Sequence, residues 1–196
     1  MFKKLNINEK CFLVLSLFSR GFDKEYHVRE IQRTLGIGLG TVQSTLKLLE
    51  RETVLRSRTV GRSRVYTINR TEISRFYFVM VEAYNTARFV TKNPLIKETI
   101  EAITPHIEKI GLIFGSYAKG LEKEGSDLDV FIVGKYDKKE IDEIGRRYAL
   151  DISVKNYPAE IFYKEMRKDI LITEVLNDHI AFKGIDELTY AVFNYG

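Results

Sequence analysis

The stretch Gly115-Ser116-Tyr117-Ala118-Lys119-Gly120, followed by Gly125-Ser126-Asp127-Leu128-Asp129-Val130, decides the reading of this chain. An apolar run, Ile110 to Phe114, leads straight into the first glycine and predicts a short buried strand opening a helix. Val130-Phe131-Ile132-Val133 continues the second segment as another buried strand. Strand alternation turns Asp127 and Asp129 to the same face. A helix-like stretch from Lys138 to Tyr148 leads to a third strand, Ala149 to Val154, which can set Asp151 beside them. Three carboxylates on one sheet face repel one another unless a cation neutralises them. Hard oxygen ligands of this kind suit Mg²⁺, which also draws substrate phosphates into its shell. Gly115 and Ser116 supply the complementary half. Free backbone N–H groups at a helix start favour an anion, Ser116 offers a hydroxyl to a phosphate oxygen, and Lys119 adds a cation one turn on. Each residue alone has a plainer use: Asp127 as turn chemistry, and Asp151 as the partner of Arg146 or Arg147.

The form "GSYAKG…GSDLDVFIV" resembles the polymerase β nucleotidyltransferase superfamily and is most similar to its minimal members in archaea and bacteria. The resemblance implies that Asp127, Asp129 and Asp151 are both the metal ligands and the catalytic residues. Gly115, Ser116 and Lys119 would hold the nucleotide. Lys119 stands where the family commonly has arginine, which keeps the charge. The implied cofactors are Mg²⁺ or Mn²⁺ with a nucleoside triphosphate, ATP, as substrate. The implied reaction is attack of an acceptor hydroxyl on the α-phosphate with release of pyrophosphate. Minimal nucleotidyltransferases accompany HEPN-type toxins, so the resemblance further implies a HEPN-type partner and an antitoxin that represses its own operon. The competing readings are a regulator that senses nucleotide without turnover and a transferase acting on nucleic-acid ends. A small-molecule transferase is a weaker third.

Outward from this stretch, the first half has a different character. Met1 to Lys92 holds 17 Lys/Arg against 8 Asp/Glu, a net of +9, whereas Asn93 to Gly196 holds 14 against 19, a net of −5. A basic half joined to an acidic one predicts two domains with different partners, nucleic acid being the leading partner of the basic one. Asn8 reads as an N-cap to a helix over Glu9 to Ser19. Helices from about His27 to Leu35 and Gly40 to Glu52 flank a glycine turn. Val54 to Val60 and Arg64 to Ile68, around Gly61-Arg62-Ser63, read as a β-hairpin. Two helices on a short turn followed by a hairpin resemble the winged helix domains of MarR- and ArsR-type regulators. That resemblance implies binding of duplex DNA through Thr41, Gln43, Ser44 and Lys47 of the third helix and through Arg56, Arg58, Arg62 and Arg64 of the hairpin. A protein-docking role, or arginines that only solubilise the hairpin, is the plainer alternative.

Thr71 to Val90 predicts a helix crowded with aromatics, which either pack the two domains together or form a homodimer interface. Asn93-Pro94 marks a boundary, and Pro105 bends or splits the helix from Leu95 to Glu108. The expected organisation is mixed α+β: a winged helix-turn-helix over residues 1–70, a linking helix over 71–92 and a small mixed-sheet nucleotidyltransferase domain over 93–196. A composition of 44% hydrophobic and 30% charged residues argues against disorder. One cysteine excludes an internal disulfide, and three scattered histidines give no zinc site. Cys11 to Phe18, the longest apolar run, is too short to cross a bilayer. The chain is expected to be cytoplasmic with no membrane partner.

Overall fold

The computed structural model describes residues 7–196. By contact the chain separates into two units, 1–81 and 82–196. The division therefore falls inside a helix rather than at Asn93-Pro94, where the sequence places its boundary signal.

In the first unit α1 spans Glu9–Ser19, and the Asn8 side chain accepts from the Cys11 N–H at 3.2 Å, as the N-cap expectation required. Strand β1, Tyr26–His27, is too short to leave a sequence signal. Helix α2, Val28–Leu35, stops at Gly36, whose φ of 64° is the left-handed conformation that ends helices. Helix α3, Leu39–Arg51, buries Val42, Leu46 and Leu49 and exposes Gln43, Ser44 and Lys47. Strands β2, Leu55–Val60, and β3, Ser63–Ile68, pair antiparallel around Gly61-Arg62. The sheet order is β1-β3-β2. Helix α4, Glu72–Lys92, starts at Thr71, whose hydroxyl accepts from the Ser74 N–H at 3.1 Å. Within the first unit it buries Phe78, 5.8 Å ring to ring from Phe22.

The second unit takes up the C-terminal half of α4. Helix α5, Pro94–Ile103, ends where Pro105 forces a 3-10 turn over Thr104–His106, so the expected longer helix is split. There follow β4 (Ile110–Ile113), α6 (Gly115–Lys119), β5 (Leu128–Val133), α7 (Lys138–Arg147) and β6 (Ile152–Tyr157). The chain closes with α8 (Ala159–Glu165), α9 (Ile170–Asn177), β7 (Ile180–Lys183) and α10 (Ile185–Asn194). The sheet order is β6-β5-β4-β7, with β5–β6 parallel and the other pairs antiparallel. Leu128, Val130 and Ile132 point from β5 into a core with Ile96, Ile100 and Ile141. The opposite face holds Phe131, stacked on Tyr157 at 5.3 Å and tilted against Phe162 at 6.0 Å. The Thr86 hydroxyl of α4 donates to the Ala181 carbonyl of edge strand β7 at 2.7 Å. This satisfies a group that an uncovered edge leaves open. Among the described residues no helix is long and apolar enough to cross a membrane.

Candidate functional site

The β4–α6 corner and the start of β5 are tied by one backbone bond, the Phe114 N–H donating to the Asp129 carbonyl at 3.0 Å. That bond brings Gly115 directly onto the Asp129 side chain. A Cβ built at Gly115 would stand 3.0 Å from Asp129 Cγ and closer still to Oδ2. Gly115 also has φ +70°, which L side chains rarely adopt. Two independent constraints thus require glycine here. From the sequence, the glycine serves to let a ligand approach the backbone; in the structure its absent side chain makes room for a carboxylate.

The residues around Asp129 follow from the parallel pairing of β5 with β6. Asp129 stands opposite Ser153, and the Leu128 N–H donates to the Asp151 carbonyl at 2.7 Å. Asp129 is half-buried and Asp127 exposed. Burial pushes the Asp129 carboxyl above its ordinary range, and the charge of Asp127 adds to the rise. A hydrogen bond with Ser153 and the Lys155 ammonium oppose it. A carboxyl raised chiefly by burial, with a second carboxylate adding to the rise, is a group that a bound cation would relieve. Asp151 lies exposed just before β6, so it takes the register position next to Asp127. Among the described residues, however, no three His, Cys, Asp or Glu side chains converge closely enough to hold a metal ion. The structure therefore brings together Gly115, Asp127 and Asp129 and leaves Asp151 outside a three-ligand cluster. Ser116 is half-buried on α6, and Lys119 is exposed on the last residue of that single turn.

Ser153 and Lys155 were missed in the sequence reading. Their signal is the alternation that starts at Asp151: residues 151, 153 and 155 share a face.

In the first unit the eight expected contact residues divide differently. Gln43, Ser44 and Lys47 are exposed on α3, with the Ser44 hydroxyl donating back to the Thr41 carbonyl at 3.0 Å. Thr41 itself is half-buried. Arg56 and Arg62 are exposed on the hairpin. Arg58 is held by Glu25 at 2.5 Å and Arg64 by Glu50 at 3.3 Å, so both guanidinium groups already have carboxylate partners. A groove of about 530 Å³ runs between α2 and β3, lined among others by His27, Arg29, Arg33, Gln43 and Arg64. Arg29 and Arg33, one turn apart on α2, add positive charge that the sequence reading did not single out.

Comparison with known proteins bears on the second unit. A family model described as a nucleotidyltransferase domain matches residues 95–192, half of the chain. No curated protein and no solved structure matches it.

Proposed function

Because the chain belongs to the nucleotidyltransferase domain family, we propose that its second unit transfers a nucleoside monophosphate from a nucleoside triphosphate to an acceptor hydroxyl. The observation that carries this is the packing of Gly115 against Asp129, whose carboxyl is raised by burial and by the neighbouring Asp127. A half-buried carboxyl with a second carboxylate beside it is a donor set that fits a divalent cation completed by substrate phosphates. Asp127 and Asp129 would hold such an ion, Mg²⁺ or Mn²⁺, which when bound supplies positive charge to the phosphates. The chain's own groups do the rest. Ser116 donates to a phosphate oxygen, and Lys119 and Lys155 set positive charge around the triphosphate. Asp151 orients the acceptor hydroxyl and takes its proton. The acceptor oxygen forms a bond to the α-phosphorus, the bond from that phosphorus to the bridging oxygen breaks, and pyrophosphate leaves. Incubation with α-labelled ATP, Mg²⁺ and a cell extract tests the proposal. Label on a protein, a nucleic acid or a small molecule identifies the acceptor class. No label on any acceptor, with nucleotide still bound, would favour a sensor without turnover.

The first unit supports a second reading. The exposed polar face of α3 and the exposed Arg56 and Arg62 on the adjoining hairpin fit a winged helix that binds duplex DNA. In that arrangement Gln43 and Ser44 reach base edges while Lys47, Arg56 and Arg62 meet phosphates. Mobility shifts across a salt series on the DNA upstream of the coding sequence test it. Binding that is absent or insensitive to salt would leave this unit as a protein-docking module.

A further inference from the structure

Helix α3 opens on Gly38-Leu39-Gly40. An N-cap tolerates glycine, so Gly38 has a place there, but nothing in the fold requires the glycine at 40. Gly40 lies inside the helix with no left-handed backbone, and a Cβ built on it would meet nothing within 4 Å among the described residues. Glycine is a poor helix former, so this position weakens α3 without relieving a clash or a strained turn. Between the two glycines stands Leu39, a bulky apolar side chain left 36% exposed. It lines the groove of about 530 Å³ between α2 and β3, as do Gln43 one turn on and the basic Arg29, Arg33 and Arg64. A lone exposed leucine is ordinary. One that stands between two glycines, on a basic rim, asks for a partner that comes close to the backbone.

We infer that Leu39 reads a thymine methyl in the major groove of duplex DNA, with Gln43 on a neighbouring adenine. Gly38 and Gly40 then let the start of α3 sink to the base edges, since no side chain there holds the backbone off. The inference rests on the DNA-binding reading of the first unit and adds which bases that unit prefers. The C5-methyl of thymine is the apolar group that the major groove presents, the complement of an exposed leucine. Adenine offers N6 as donor beside N7 as acceptor, which matches a glutamine amide. The Ser44 hydroxyl already donates to the Thr41 carbonyl, so the Gln43 amide is the group of this strip best able to give and accept together. The step from Leu39 to Gln43 climbs about 6 Å, no more than two base steps of about 3.4 Å. Both contacts therefore fall within one short A/T tract. Charge agrees with a polyanion as the partner: Arg29 and Arg33 are exposed one turn apart on α2, and Lys47 is exposed one turn beyond Gln43.

Selection by the full chain from a random-sequence duplex pool tests this. The enriched duplex should carry a fixed A/T tract. Replacing its thymines one at a time by deoxyuridine removes only the methyl group, and at one position this should weaken wild-type binding about fourfold, the worth of one buried methyl. Leu39→Ala should bind the thymine duplex at least about fourfold more weakly than wild type and be indifferent to the deoxyuridine exchange. Gly40→Leu places a good helix former in open space. It should keep or raise the melting temperature while weakening binding at least about tenfold, a split that a purely structural role for the glycine does not give. A pool from which no duplex is enriched overturns the DNA reading itself and this assignment with it, leaving protein docking. An enriched duplex that tolerates deoxyuridine at every position, a Leu39→Ala chain that loses the same factor on the exchange as wild type, or a folded Gly40→Leu chain that binds like wild type leaves DNA binding standing and overturns this inference alone.

Discussion

Replacing Gly115 by alanine tests the geometry on which the candidate site stands. Two separate costs arise. The residue sits at φ +70°, and holding an L side chain in the left-handed region costs about 1–2 kcal/mol. The new methyl also meets the Asp129 carboxylate, with Cγ at 3.0 Å. To make room, Asp129 must turn away from its hydrogen bond with Ser153. Forcing a methyl into a filled space costs about 1–3 kcal/mol. The ligand-free protein should thus lose about 2–5 kcal/mol by urea denaturation. A double-mutant cycle separates the two costs. In an Asp129→Ala background the carboxylate is gone and only the backbone cost, about 1–2 kcal/mol, should remain. A coupling of about 1–3 kcal/mol between the two positions is the expected result. An additive cycle would refute the contact, because it would mean that the methyl never meets the Asp129 side chain.

Three further outcomes follow from the same geometry. Asp127→Asn should lower the Asp129 carboxyl, abolish transfer of labelled nucleotide, and leave the melting temperature at or above that of wild type, since it removes a like charge. The fully buried His179 has its pKa pressed down by burial and raised further by the Glu82 carboxylate 3.4 Å away, and the rise prevails. A raised folded value means that this pair contributes fully below about pH 6.5 and that its contribution fades as the pH climbs through the folded value. Denaturation between neutral and alkaline pH should show that loss. Glu82→Gln, which leaves the histidine without its buried counter-charge, should cost about 3–5 kcal/mol. On DNA, Arg62→Ala should reduce the log–log salt slope by about one, while Arg58→Ala should change it less, because Glu25 already holds that guanidinium. Equal effects of the two substitutions, measured by mobility shift, would contradict this.

The first unit was legible because its signals are local. Asn8, Gly36 and Thr71 each end or start a helix through a bond to the neighbouring backbone, and the turn at Gly61-Arg62 fixes the hairpin between Leu55 and Ile68. Features set by distant partners were not visible. Strand β1 has only two residues, and it exists because Tyr26 and His27 find Tyr66 and Val65 some forty positions away. Nor does a run of arginines announce which of its members a carboxylate has taken: Glu25 lies 33 residues before Arg58 and Glu50 lies 14 before Arg64. The division inside α4 has the same kind of cause. Proline at 94 is a strong local break, but the Thr86 hydroxyl donates to Ala181 and the Glu82 carboxylate lies 3.4 Å from the His179 ring. These partners, nearly a hundred residues on, draw the C-terminal half of α4 into the second unit.

The site shows the same division between spacing and register. Spacing alone placed Asp127 and Asp129 on one face, since that needs only the period of a strand. The role of Gly115 needed a contact across strands, and so the sequence assigned it to a ligand rather than to Asp129. Register also decides what surrounds the carboxylates. Once β6 runs parallel to β5 with Asp129 opposite Ser153, alternation carries Ser153 and Lys155 to the carboxylate face without further assumption. A one-residue slip would instead bring Ile152 and Val154 there. It would then remove those two half-buried groups from the core they pack against with Ile141 and Ile144, at a cost of about 0.8 kcal/mol per buried methylene lost. Apolar packing on one face of the sheet therefore fixes the charged arrangement on the other. Substitutions that loosen the packing of β6 on α7 should weaken nucleotide binding although they touch no polar group of the site.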